Sequence, residues 1–274
     1  MDIDLIKEVN CCTLGERWCG LWWLGQHSFI IKLGHQIIYV DPFLSSISQR
    51  KMAPVLLPEQ ISNADFILGS HDHIDHIDRE AWPVIARRSP KTRFIVPDLL
   101  KERLSDELKI APDRFVGLDD GKSFTDNTLK ISGIASAHEF LDREEQSGRY
   151  PYLGYVMESN GCCIYHSGDL CNYDGLRTKL ERFRIDIAIL PINGRDAARL
   201  SAGCIGNMSY QEAVELAGDI RAGLVIPSHY GMFDFNTEDP ALFVEYAHCK
   251  YPWLKTMICE YGRQYAINVS CGEN

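Results

Sequence analysis

The chain lacks any apolar run approaching the ~20 residues that cross a bilayer. It also lacks a basic excess: 28 lysines and arginines face 38 aspartates and glutamates, a formal net charge of −10. Long-range repulsion opposes non-specific binding to nucleic acid and to anionic membrane, so neither is expected as a partner. Cysteine occurs ten times, yet without a Cys-x-x-Cys or a secreted-framework spacing. Cys11-Cys12 and Cys162-Cys163 are adjacent pairs that would close a bridge only with strain. The first eight residues are acidic and lack the basic-then-apolar pattern of a signal peptide. Reduced thiols in a cytoplasmic protein are the expectation. No linker, low-complexity tract or charge block divides the 274 residues, which predicts one domain over 1–274.

What the chain does hold is a concentration of histidine. Ser70-His71-Asp72-His73-Ile74-Asp75-His76-Ile77-Asp78 places three imidazoles and three carboxylates in nine positions, in a chain with nine histidines altogether. An apolar run, Ala64 to Gly69, precedes it and predicts a buried strand that delivers its polar end to a loop. His71 and His73 project from one side of an extended backbone. Asp75 and His76 follow at the turn into a helix near 79–88, with Asp78 as its N-cap. Such a cluster can supply ligands to two neighbouring metal ions.

The remaining chain reads as two β-rich-then-α halves, roughly 20–115 and 116–270. Three β-rich runs over 20–42 suggest an antiparallel meander ended by Asp41-Pro42. Later strands are expected at 93–97, at 121–124 paired with 128–135, and at 153–158, 162–166, 185–191 and 224–229, with two more near 255–260 and 263–268. Helices are expected near 98–108 and 174–182, from a capping box at Ser209 and Glu212, and after Asp239-Pro240. The plan predicts an α/β (α+β) architecture of two packed sheets with helices outside.

His138, Asp169 and His229 each lie just past a predicted strand, as the first cluster does, so loops at one rim can converge. Imidazole and carboxylate without thiolate suit zinc, manganese or iron. The assignment is His71, His73 and His138 on one ion and Asp75, His76 and His229 on the other, with Asp169 bridging. Two divalent ions, Zn2+ or Mn2+, are the expected cofactors.

Taken in order, His71-x-His73-x-Asp75-His76, His138, Gly168-Asp169 and His229 resemble the motif series of the metallo-β-lactamase superfamily of metal-dependent hydrolases. The resemblance implies a four-layer αββα sandwich of two mixed β-sheets with a dinuclear centre between its halves. Trp22-Trp23-Leu24-Gly25, Ile164 to Asp169, Asn193-Gly194-Arg195, Gly206-Asn207-Met208 and Val225 to His229 are similar to the ascorbate-6-phosphate lactonase group.

A water held by zinc drops its pKa from ~15.7 toward about 7, which makes hydroxide available at neutral pH. Asp75 and Asp169 would orient it and accept its proton, with His229 beside them in the catalytic set. Asp41 and Asp72 are candidates to hold ligand imidazoles by hydrogen bonds. Arg195 can clamp a phosphate or carboxylate, and Asn193 and Asn207 are candidate substrate contacts or turn formers. The expected reaction is hydrolysis of a small anionic lactone or cyclic ester, such as a sugar-phosphate lactone. A phosphodiesterase, acting on nucleotides or in a phospholipase D-type reaction, and a non-catalytic metal-binding scaffold are the alternatives. Residues 139–150 read as a polar loop, a lid or a passive one. Trp18 and Trp253, if exposed, leave homo-oligomer assembly open.

Overall fold

The computed structural model describes residues 4–269; the ends of the domain expected over 1–274, and Cys271, lie outside the described residues. The first half contains α1 (Leu5–Cys11), β1 (Trp18–Trp23), β2 (Phe29–Leu33), β3 (Gln36–Val40), β4 (Phe66–Leu68), α2 (Ala81–Arg88), β5 (Arg93–Pro97), α3 (Lys101–Leu108) and β6 (Phe115–Leu118). The second contains β7 (Ser123–Asp126), β8 (Leu129–Ala135), β9 (Leu153–Ser159), β10 (Cys162–His166), α4 (Leu176–Leu180) and β11 (Ile187–Pro191). It continues with α5 (Ala197–Ser201), α6 (Tyr210–Asp219), β12 (Leu224–Ser228), α7 (Pro240–Lys250), β13 (Lys255–Thr256) and β14 (Gln264–Asn268). The strands form two seven-stranded sheets, ordered β14-β1-β2-β3-β4-β5-β6 and β13-β12-β11-β10-β9-β8-β7. Both are mixed: the β1–β2–β3 meander is antiparallel, whereas β3 to β6 run parallel.

Alternation along the strands explains the layering. Leu21, Phe29, Ile31, Ile38, Val40 and Leu68 pack between the sheets against Ile131, Tyr155, Ile164 and Ile189. Their neighbours in sequence, Trp22, Ile30, Tyr39 and Ile67, turn to the other face and meet Trp82 and Ile85 of α2. With both faces covered, the strands read as nearly continuous apolar runs.

Three elements depart from the expectations. The stretch before β1 holds α1, whose N-cap Asp4 accepts from the Lys7 amide while Leu5 and Val9 pack inward. β6 and α5 were not expected either, each being only four or five residues long. The helix expected from 79 begins at Ala81, yet Asp78 still serves its start by accepting from the Ala81 amide at 3.0 Å. The second Asp78 oxygen accepts from the Leu44 and Ser45 amides, so one carboxylate ties the helix start to the loop after β3.

Candidate metal centre

All the candidate ligands stand on loops at one rim of the sandwich. His71 to His76 follow β4, His138 follows β8, Asp169 follows β10 and His229 follows β12. A turn bonded from the His76 and Ile77 amides to the His73 carbonyl buries Ile77 as an anchor. His71 and His76 are thereby held inside while Asp75 stays at the edge of a cavity. At the Asp169 turn, Gly168 has φ +60, and a Cβ there would meet the Leu153 carbonyl oxygen at 2.7 Å and Ser70 Cβ at 2.8 Å. Only glycine lets the chain turn there.

The side chains gather into two groups, His71, His73, His138 and Asp169 in one and Asp75, His76 and His229 in the other. Asp169 faces both. Its Oδ2 lies 3.5 Å from His138 Nε2 and 3.9 Å from His71 Nε2, and its Oδ1 lies 3.2 Å from His229 Nε2 and 3.3 Å from His76 Nε2. Asp75 Oδ2 is 3.6 Å from His229 Nε2 and 3.7 Å from His76 Nε2. Ligand atoms ~2.1 Å from a tetrahedral ion stand roughly 3.4 Å apart, so the spacing suits metal. Hydrogen bonding does not account for it: His76 Nε2 and Asp169 Oδ1 are buried without a hydrogen-bond partner. Unpaired buried polar atoms are costly, and a divalent ion would relieve both.

Electrostatics keeps most of these imidazoles neutral, as ligation requires. Burial pulls the pKa of His71 well below its ordinary value and lowers that of His138 to about 4. His76 and His229 go the other way, the burial of His229 being outweighed by Asp169 and Asp75. Burial opposes the charge of His76, but Asp169, Asp75 and Asp41 together outweigh burial and hold its pKa up. The carboxyl of Asp169 is held well below the usual range, because His229 and His76 overcome the cost of its burial.

A layer of hydrogen bonds fixes the imidazoles from behind. His76 Nδ1 donates to Asp41 Oδ2 at 2.6 Å, leaving Nε2 to face the cluster. Asp41 is locked in turn by the Ser70 amide and hydroxyl. Asp72, by contrast, pairs with Arg79 and Arg103 at the surface. His27 lies fully buried, with Nδ1 2.7 Å from Ser228 Oγ and Nε2 donating to the Gly168 carbonyl at 3.0 Å. His166 is buried beside it and donates to the His27 carbonyl. Gln26, which carries no signature in the sequence, also stands at the site. Its Nε2 donates to Asp75 Oδ2 at 3.1 Å and lies 3.2 Å from His229 Nδ1, and its carbonyl accepts from the His229 amide. Gln26, Asp41 and His229 all take positive φ, a strained conformation for such residues.

The expected substrate contacts are placed elsewhere. Arg195 spends its guanidinium on both oxygens of Glu212 and on the Asn207 carbonyl. Asn193 and Asn207 are fully buried and bond to each other, while Asn193 also donates to Asn236 and Asn207 accepts from the Leu170 amide. In the structure these three brace the loops after β10 and β11, as the turn reading of Asn193 and Asn207 has it, and none lines the cavity. Cys171 is buried, with its thiol against the Gly206 carbonyl. The loop 139–150 is mostly exposed and closed by its own Glu144 to Gln146 and Ser147 bonds.

Above the ligands lies an open cavity of about 600 Å³. His73, Asp75, His138, Asp169 and His229 form its floor, and Ile47, Ile74, Ile205, Phe233 and Phe235 form much of its wall. Among the described residues, no lysine or arginine lines it.

The family pattern described as "Beta-lactamase superfamily domain" matches residues 36–230. A UPF0173 metal-dependent hydrolase of Saccharolobus solfataricus is 25% identical over 225 residues, 82% of this chain and 90% of that protein. Another, from Archaeoglobus fulgidus, is 26% identical over 250 residues, 90% of this chain and 98% of its own. Among solved structures, Igni18, a metallo hydrolase from Ignicoccus hospitalis, superposes with a TM-score of 0.73 at 20% identity, covering 91% of this chain and 98% of that one.

Proposed function

The chain belongs to the β-lactamase superfamily with the metallo-β-lactamase fold, and from that premise we propose that it is a metal-dependent hydrolase of a small lactone or cyclic ester. One observation carries the reading: the two oxygens of Asp169 are turned to two separate histidine groups. His71, His73 and His138 would hold one ion and Asp75, His76 and His229 the other, sharing Asp169. When bound, such ions lower the pKa of a water and polarise an electrophilic oxygen.

The protein's own groups supply the rest. Asp75 reaches the cavity edge, where its carboxylate can take a proton from the attacking water and return it to the leaving oxygen. Gln26 fixes the rotation of that carboxylate through its 3.1 Å donor contact, and Asp41 fixes the ring of His76. In the net reaction the water oxygen joins the carbonyl carbon, the acyl C–O bond breaks, and the freed alkoxide takes the proton. The product is a hydroxy acid, with no redox partner required.

The test is elemental analysis of metal per chain in the wild type and in His138→Ala, joined to a turnover screen of lactones and phosphodiesters. The expected result is two ions in the wild type, fewer in the variant, and lactone hydrolysis lost with them. Phosphodiesters cleaved in preference to lactones would replace the reading with a phosphodiesterase on the same residues. Two ions with no turnover in either class would favour a metal-binding scaffold.

A further inference from the structure

The wall of the cavity carries information that the ligands below it do not. Phe43, Phe233 and Phe235 form a ladder of rings from the interior to the mouth, with centroids 6.4 and 5.5 Å apart. Phe43 is fully buried, Phe233 nearly so, and Phe235 is 48% exposed at the open end. Ile74 and Ile205 complete the mouth at 57% and 38% exposure. Large apolar side chains left in water around a concave site commonly mark ligand contact. The cavity's size also falls within the ~300–1,000 Å³ of small-molecule sites.

Charge points the same way. Ions on the floor would attract an anionic group placed directly against them, but a phosphate lying along the isoleucine and phenylalanine wall would lose water with no lysine or arginine in the lining to replace it. Arg195, the cation that the sequence offered, is engaged by Glu212. The chain's net charge of −10 adds long-range repulsion of anions. An uncharged apolar substituent would meet neither obstacle and would cover the exposed rings.

We propose that the substrate class is an uncharged lactone or ester bearing an alkyl or aryl substituent, which lies along Phe233, Phe235, Ile74 and Ile205 while its carbonyl reaches the histidine floor. This specificity rests on the hydrolase reading for its chemistry but on the wall alone for its direction. The ring opens as described above, and the substituent takes no part in bond making.

The test uses the metal-loaded protein and a series of γ-lactones whose alkyl chain lengthens from one to eight carbons, with a phosphorylated sugar lactone alongside. In parallel, binding of 2-alkylcyclopentanones, which cannot be hydrolysed, is followed by ligand-observed NMR on loaded and metal-stripped protein. Each added methylene should raise kcat/KM and ketone affinity about fourfold until the wall is covered. The surface substitutions Phe235→Ser and Ile205→Asn should flatten both slopes. A flat chain-length series, or preference for the phosphorylated lactone, overturns the inference and leaves the hydrolase reading in place. Ketone binding that rises with chain length, without hydrolysis of any lactone, supports the apolar site and overturns the lactonase chemistry instead.

Discussion

Gln26 holds a left-handed backbone angle, φ 51°, and uses it to bring both its carbonyl and its carboxamide against the His229 and Asp75 loops. Replacing it with alanine removes the donor to Asp75 and leaves the strained backbone in place. Groups that orient metal ligands typically contribute 10–100-fold to metal affinity. Gln26→Ala should therefore weaken one of the two binding steps by about tenfold or more, while the other changes little. Competition with a graded chelator would reveal it, and two unchanged steps would count against the role. At this scale the sequence was legible where chemistry is dense. His71 and His73 alternate along an extended chain, and His76 falls at a turn, so their convergence could be read from spacing. Gln26 could not, because a glutamine in a turn has no signature until Asp75, far along the chain, is folded against it. Arg195 is the mirror case: its partner Glu212 caps a helix that only the fold brings near.

Elements matter here mainly as carriers of rim loops. Gly168, between β10 and Asp169, shows how little room they leave, since φ +60 and two contacts under 3 Å exclude any side chain. Gly168→Ala should cost about 1–3 kcal/mol of stability through backbone strain and displace Asp169. The readout is a lowered midpoint in urea with an unchanged slope, together with poorer metal retention. A variant as stable as the wild type would show that the loop relaxes freely. Strand positions were mostly foreseeable because β1 to β4 and β8 to β12 are covered on both faces and rich in β-branched and aromatic residues. α5 and β6 were not, because four or five residues are too few for a period to emerge. α1 did carry a signal in Asp4, Leu5 and Val9, a cap followed by an i, i+4 apolar pair.

At the scale of the molecule, the candidate ligands come from both sheets. His71, His73, Asp75 and His76 belong to the first half, and His138, Asp169 and His229 to the second. Ions that bind only the packed form stabilise it, by roughly 2.7 kcal/mol per site at a hundredfold excess over Kd. Stripping the protein with a chelator should lower its melting temperature by several degrees, and zinc or manganese should restore it. The loss should deepen in acid. Burial holds the pKa of His138 to about 4 in the folded chain, against ~6.5 when unfolded, so between those values the unfolded state binds the extra proton. The contribution of His138 to the stability of the stripped protein then falls as pH drops from about 6.5 toward 4 and levels off below. Identical melting curves with and without chelator would argue that the two sheets need no ions to stay together.

That shared ownership of the ligands reaches beyond the test tube. Chains that open more often are taken by proteases more often. A cell short of metal would then lose copies of this protein as well as turnover per copy, and its abundance would rise and fall with the metal supply.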